Sequence, residues 1–431
     1  MVDRVLIVFP TGWDARQLDA CRSAWNADYA VEFSVPTDAD CDADFDVMAF
    51  IAFHAARRDF DAVFSSSDYP GAAVAAAIAA QRDLPGPSPE AVQRCAHKYY
   101  ARVAQRLAAP ESVPEFTLLD PSKSITTARR LTYPRFVKPV KGAFSVLARQ
   151  VDSADELAAF LGSACVHEYM DSYLRIFDRL LGAYTDFALN GRYFLAEEIL
   201  RGSQVTVEGF VHQGEVHILG VVDSVMHPGT RSFARFEYPS SLDAGVQARM
   251  CDLVRRIVRA HGLDDTLFNV ELLYDATADH IGIVEINPRL CGQFADLYQK
   301  VDGTNTYEVA LALAAGRRPH VSHREGAYRV AASQPLRVFE PSRVLQAPQP
   351  EDVRAAEALF PGTLIWVECE AGQNLCDFES TEDGCSARYA IVNTGATDHE
   401  RLAEHFEAIQ SRLGFAFEPL HSPAHVSISS P

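Results

Sequence analysis

Two short strand patterns constrain this chain more than any other feature. They are FNVELLYD (Phe268–Asp275) and HIGIVEIN (His280–Asn287), and each sets an acidic residue among apolar neighbours. Side chains alternate faces along a strand, so Glu285 and Asn287 share one face while Val284 and Ile286 turn to the core. Pro288 ends the second strand, because it has no N–H for a ladder. Arg289 continues along the same rim. If the strands pair as an antiparallel hairpin, Glu271 faces Glu285. Two carboxylates and a carboxamide oxygen are hard oxygen donors of the kind that suit Mg²⁺ shared with phosphates. An exposed strand face with ordinary charges is the alternative.

The formal charge of −19 argues against a general nucleic-acid binder, whose footprint would be basic. It does not exclude an anionic ligand, since a site can be locally basic inside an acidic protein. Of the 39 basic residues only five are lysines: Lys98, Lys123, Lys138, Lys141 and Lys300. Lys138 lies in RFVKPVKGAFS (Arg135–Ser145), inside an apolar strand, where an ammonium is costly unless it meets an anion. Gly142 and Ser145 follow in a turn whose N–H groups can close over phosphate oxygens; a hairpin with a surface lysine pair is the alternative. Lys98 sits on a helix running from Pro89, where a lone lysine is ordinarily solvated. A third segment, AEEILRGSQVTVEGF (Ala196–Phe210), runs through a glycine turn into an alternating strand. Its exposed backbone can meet a purine edge, or it is a plain strand–turn–strand connection.

A chain of 431 residues predicts roughly two to four packed units. The first ~120 residues alternate strand and helix signals, as a small parallel α/β unit does: strand Arg4–Phe9, helix Asp14–Asn26, strand Tyr29–Val35, helix Asp46–Arg58, strand Ala62–Ser65 and an Ala-rich helix after Pro70. Ser88-Pro89-Glu90 starts a helix, with Ser as N-cap and Pro at the first helical position, and it is expected to run to Leu107. From Arg135 the pattern is mixed α+β, with a helix at His167–Leu181 and strands Gln204–Val211 and Glu215–Val225. The last ~115 residues end in an amphipathic helix, Asp398–Leu413. Nine scattered cysteines without a C-x-x-C pair read as reduced, mostly buried thiols. The N-terminal apolar run is too short for a signal segment, and no stretch approaches the ~20 residues of a membrane span. A soluble, cytoplasmic protein with no membrane or nucleic-acid partner is expected.

Taken together and in this order, VEINPR, the V-K-P strand, the E-E-I-L-R-G-S-Q hinge and the GPSPEAVQRCAHKYYAR helix resemble the ATP-grasp superfamily of carboxylate–amine ligases, from about Gly86 to Gly316. The resemblance, which is L-amino acid ligase-like, implies an N-terminal Rossmann-like α/β domain (residues 1–120), an ATP-grasp lid subdomain (121–196), a central ATP-grasp domain (197–316) and a C-terminal α+β domain (317–431). ATP would be held between two antiparallel sheets. It further implies Lys98 and Lys138 on the α- and β-phosphates, with Ser145 on a short lid loop. Glu197 would meet the adenine amino group, Glu198 and Leu200 would offer backbone to the ring, and Gln204 matches the ribose position. Glu271, Glu285 and Asn287 would bind two Mg²⁺ ions, or Mn²⁺, with Glu285 bridging, and Arg289 would stabilise charge during acyl transfer.

The activity that the resemblance implies is that of an ADP-forming ligase, which joins a small-molecule carboxylate, an amino acid or small acid, to an amine. His227, Arg231 and Arg235, in the segment Met226–Leu242, match a region that shapes the substrate site in relatives; a solvated loop is the alternative. After Arg289 the chain has one glycine, Gly292, where many relatives have a pair, so Gln293, Asp296 and Tyr298 are candidates for the wall of an altered acceptor pocket. A biotin-carboxylase-like activity shares the ATP site, but the KGAFS lid lacks a long glycine run and no biotinyl segment is present. A non-catalytic ATP-binding regulatory protein is the reading from a different class. A homodimer is left open.

Overall fold

The computed structural model describes residues 2–36, 45–123, 128–142, 146–376, 378 and 385–420. Burial explains its first sheet. Strand β1 (Asp3–Val8) is completely buried over Val5–Val8, as a strand covered on both faces must be. It pairs in parallel with β2 (Tyr29–Ser34) on one side and β3 (Ala62–Phe64) on the other. The connecting helices are α1 (Asp14–Ala20), α2 (Arg22–Trp25) and α3 (Val47–Ala56). Helix α4 (Gly71–Gln81) buries nearly every residue, and its alanines pack against Leu6, Val8 and Val63. The single helix expected over Asp14–Asn26 is broken at Cys21, whose backbone (φ −107°, ψ 16°) leaves the helical range.

The helix expected from Ser88 to Leu107 is likewise two, α5 (Pro89–Ala96) and α6 (Lys98–Ala108). Ser88 caps the first, its side chain accepting from the Ala91 N–H at 3.2 Å. His97 (φ −91°, ψ 96°) is extended and fully buried. One of its ring nitrogens lies 3.0 Å from the Asn190 carbonyl, and the Lys98 N–H bonds the Val140 carbonyl at 2.7 Å instead of continuing a helix. Lys98 therefore opens a helix rather than riding in the middle of one.

A four-stranded antiparallel sheet follows, in the order β4-β7-β5-β6, from β4 (Phe116–Leu119), β5 (Arg135–Pro139), β6 (Arg149–Val151) and β7 (Phe194–Glu197). The helix expected over His167–Leu181 divides into α8 (Ala164–Asp171) and α9 (Leu174–Tyr184), after α7 (Ala154–Leu161). A core of Leu119, Val137, Leu157, Phe160 and Phe194 joins this sheet to its helices.

The chain divides into two compact units: residues 1–224 with 238–327, and residues 225–237 with 328–431. In the first unit, β8 (Ser203–His212), β9 (Glu215–Met226, to its residue 224), β11 (Thr266–Asp275) and β12 (His280–Asn287) lie in the antiparallel order β12-β11-β8-β9. One face of it carries Val205, Val207, Val270, Leu272, Ile283 and Ile286. These pack on Met250, Leu253, Val254, Ile257 and Val258, the apolar stripe of α10 (Ala244–His261). That helix ends at Gly262, at φ 73° in the left-handed region. Covering this face in apolar contact leaves the opposite face for polar groups. Helices α11 (Ala295–Asp302) and α12 (Thr306–Ala314) follow β12.

The second unit contains β10 (Phe233–Tyr238, to its residue 237), a strand inside the segment whose alternative reading is a solvated loop. It neighbours β13 (Val330–Val338), and the order continues through β17 (Ala387–Ala396) to β15 (Leu364–Val367). A smaller sheet joins β14 (Ser342–Gln346), β16 (Asn374–Leu375) and β18 (Ala416–Pro419). Helix α13 (Pro350–Glu357) and the C-terminal helix α14 (His399–Leu413) complete the unit. The latter lies one residue from its expected start and buries Leu402, Phe406, Ile409 and Leu413. Among the described residues no helix is long and apolar enough to cross a membrane.

Gly209 marks a register shift between β8 and β9. A Cβ there would meet the His217 carbonyl oxygen at 2.2 Å and the buried Phe268 ring at 2.5 Å. Gly209→Ala is expected to cost about 1–3 kcal/mol, read as a lower thermal unfolding midpoint; an unchanged midpoint would contradict this packing.

Candidate functional site

The hairpin of β11 and β12 has the register that brings its acids together: Glu271 lies opposite Glu285, and Asn269 opposite Asn287. Like charges directly opposite each other destabilise a strand pair, so this row needs compensation. Lys98 supplies part of it, its Nζ 3.1 Å from Glu285 Oε2 and 3.0 Å from the Gly142 carbonyl. Gln204 Nε2 donates to Glu271 Oε2 at 2.9 Å. The two acids respond differently. Burial works against ionisation of Glu285, but the nearby Lys98 and Lys138 prevail and hold it below the usual range. Burial, then the charge of Glu285, push Glu271 upward.

A second cluster sits beside the first and is more deeply buried. Arg102 grips Glu197 in two-pronged fashion, Nε to Oε1 at 2.6 Å and Nη2 to Oε2 at 3.2 Å, and Lys138 Nζ reaches Glu197 Oε2 at 2.8 Å. Arg102 Nη2 also donates to the Val284 carbonyl at 2.9 Å, as Lys138 does at 3.4 Å. The two sheets are thereby tied at the base of the VEINPR strand. Burial alone would raise the Glu197 carboxyl; Arg102 and Lys138 overcome it and hold the group down at about 2. The resemblance implies Glu197 at the adenine, whereas its carboxylate here is already committed to two cations. Glu198 is exposed and Leu200 half-buried. A Cβ on Gly282 would stand 2.6 Å from the Leu200 side chain, so that glycine makes room for the hinge.

Arg102 and Asp68 are missed by sequence reasoning. Arg102 carries a readable signal: it follows Lys98 by four residues, one turn along the same face of α6. Asp68 does not, since it ends a Ser65-Ser66-Ser67 run in a loop remote from every motif. It accepts from Lys141 Nζ at 2.9 Å and lies 3.8 Å from Arg289 Nε. Burial opposes its ionisation, yet Lys141, Arg289 and Lys98 hold it well below the usual carboxylate range.

The remaining candidates are dispersed. Ser145 lies outside the described residues. His227, Arg231 and Arg235 belong to the second unit, where Arg235 pairs with Glu237 at 2.6 Å and the His227 ring meets Phe339. Asp296 and Tyr298 are interior: Asp296 binds Lys300 and, at 2.7 Å, Gln17, and Tyr298 packs on Tyr238 with ring centroids 4.4 Å apart. Gln17 Nε2 also donates to the Gly292 carbonyl at 3.0 Å, which anchors the 3-10 turn Gly292–Phe294 that contains Gln293.

Among the described residues no group of three or more His, Cys, Asp and Glu forms a ready metal cage. The oxygen donors that could hold a metal here are Glu271, Glu285 and the Asn287 carboxamide. This fits a hard cation such as Mg²⁺ or Mn²⁺ that takes its other ligands from water and phosphate.

Comparison with known proteins bears on the domain that carries these residues. Residues 131–296 match the ATP-grasp domain family. An uncharacterized protein of Sinorhizobium fredii, y4rH, is 26% identical over 266 residues, which is 58% of this chain and 48% of that protein. The chain thus spans about half the length of this curated relative. Among solved structures, L-amino acid ligase from Bacillus licheniformis superposes with a TM-score of 0.71 at 16% identity, over 97% of this chain and 99% of that one. The biotin carboxylase domain of Hydrogenobacter thermophilus 2-oxoglutarate carboxylase, a dimer in complex with MgADP and bicarbonate, gives 0.66 at 13% identity, over 97% and 91%. At such identities the likeness is one of fold, and it is the ATP-grasp fold expected from the sequence.

The charge pairing at this site has a pH signature. A carboxyl whose pKa is raised on folding lowers stability as pH rises above its unfolded value. In the absence of divalent cations, Glu271→Gln is expected to raise the unfolding midpoint near pH 8 and to converge on wild type toward about pH 5. A variant equally destabilised at both pH values would contradict the assignment.

Proposed function

Because residues 131–296 match the ATP-grasp domain family, we propose that this protein is an ADP-forming ligase that joins a carboxylate, an amino acid or small acid, to an amine. The observation that carries this reading is the facing pair Glu271 and Glu285, closed on one side by Lys98 and bordered by Arg289. The fold shared with an L-amino acid ligase supports an amino acid as the acid.

Glu271, Glu285 and Asn287 would hold Mg²⁺, or Mn²⁺, which when bound offsets the charge of the nucleotide phosphates. Lys98 and Lys138 supply fixed positive charge for the α- and β-phosphates, with Gln204 at the ribose. Because Arg102 and Lys138 occupy the Glu197 carboxylate, adenine recognition along the hinge falls to the backbone of Glu198 and Leu200. Glu197 instead keeps Lys138 in place.

A substrate carboxylate oxygen attacks the γ-phosphorus of ATP, ADP leaves, and the acyl group is now attached to phosphate, a far better leaving group than oxide. The amine nitrogen then attacks the acyl carbon, loses its proton, and inorganic phosphate departs. Arg289, held near Asp68, would stabilise negative charge on the acyl oxygen during the second step. Little covalent work falls to the protein, so positioning and preorganised charge carry the catalysis. Gln293, Asp296 and Tyr298 in the first unit and, separately, His227, Arg231 and Arg235 in the second stay as candidates for substrate contacts.

The test is a screen of acids and amines with ATP and Mg²⁺, in which ADP and phosphate are the expected products and hydroxylamine traps the activated acid as a hydroxamate. AMP with pyrophosphate would contradict the route, and bicarbonate-dependent turnover stimulated by free biotin would favour a carboxylase. Arg289→Met is expected to lower kcat by about 100-fold while MgADP binding stays within a few-fold. Equal losses in both would remove Arg289 from the transfer step.

A further inference from the structure

The polar face of the central sheet carries a second row, of which the motifs account only for Asn287. Across three adjacent strands, Glu208 on β8 lies opposite Asn269 on β11, and Asn269 opposite Asn287 on β12. All three are buried, at 3%, 4% and 8% exposure. They are linked in one direction: Asn287 Nδ2 donates to Asn269 Oδ1 at 3.4 Å, and Asn269 Nδ2 donates to Glu208 Oε1 at 3.1 Å. The row lies next to the one containing Glu271 and Glu285, and by strand alternation on the same face.

A carboxamide presents one acceptor and one donor end, and only the oxygen can ligate a cation. Which end of Asn287 turns outward depends on what the other end binds. Asn269 offers Asn287 an acceptor because its own amide is spent on Glu208. With Nδ2 engaged in the interior, the oxygen is the atom Asn287 has left to give.

We infer that Glu208 and Asn269 are positioning residues that fix the carboxamide of Asn287 with its oxygen toward the metal–nucleotide site. The inference rests on the reading of Asn287 as a metal ligand. It is distinct from that reading, because neither Glu208 nor Asn269 touches the ion. Glu208 needs only to present an acceptor oxygen, which a carboxylate, a neutral carboxyl and a glutamine side chain all do. Partners of this kind behind metal ligands typically change metal affinity by about 10–100-fold.

The experiment is a titration of Mg²⁺ at fixed ADP, following nucleotide binding by calorimetry, on the full chain. Asn269→Leu, close in volume and without a donor or acceptor, is expected to raise the half-saturating Mg²⁺ concentration by about 10-fold or more, with metal-free ADP binding unchanged. Glu208→Gln is expected to stay within about twofold of wild type, and Glu208→Met to follow Asn269→Leu. Should Asn269→Leu fail to fold, the Gln and Met variants of Glu208 decide the matter by themselves. Folded Asn269→Leu or Glu208→Met with wild-type Mg²⁺ dependence overturns the relay. If wild type itself shows no Mg²⁺ dependence, or Glu285→Gln leaves it intact, the metal reading fails and the inference falls with it.

Discussion

Two carboxylates facing each other across neighbouring strands form the constraint on which the rest of this structure depends. Glu271 and Glu285 occupy one row of an antiparallel ladder, where like charges cost stability and apolar or opposite-charge pairs would contribute it. A sequence free to optimise the sheet alone would not keep them. The surrounding chain answers with Lys98, delivered by a break in its helix, and with the Gln204 amide. Local rules broken in this way, with compensation brought from elsewhere, characterise sites built for a ligand rather than for stability.

The buried cluster beside that row does a different job. Glu197, Arg102 and Lys138 are almost fully excluded from water. A buried ion pair gives little net stability against an apolar alternative, yet leaves an uncompensated charge when one member is lost. Its value here is geometric. Arg102 and Lys138 both reach the Val284 carbonyl, so the four-stranded sheet and the central sheet are joined at the root of the strand that presents Glu285 and Asn287. Lys138 thus spans both sheets at the point where the proposed nucleotide site opens.

Much of this is legible in the sequence because it rests on local rules. Strand alternation and Pro288 set the shared face of Glu285 and Asn287, whereas the pairing of Glu271 with Glu285 depends on a register shift between Glu271 and Leu272 that makes Val284 the extra residue. Capping marks the start of α5 at Ser88. Other features depend on contacts made only in the folded chain. The interruption at His97 comes from bonds to Asn190 and Val140, residues remote in sequence. Asp68 arrives at Arg289 from the N-terminal sheet, and Asp296 is drawn inward by Gln17, 279 positions away. The resemblance implies Glu197 at the adenine, but two buried cations decide what its carboxylate can do. The relay behind Asn287 needs the register of three strands, which no single segment contains.

The central claim is that the facing acids form a cation site that works together with a nucleotide. It is tested most directly by electron paramagnetic resonance of Mn²⁺ in the presence of ADP, with and without the protein. The account predicts that wild type depletes the free Mn²⁺ signal beyond what ADP alone does, and that the paired substitution Glu271→Gln with Glu285→Gln abolishes this excess in a protein that still folds. Depletion by the double variant equal to that of wild type would contradict it.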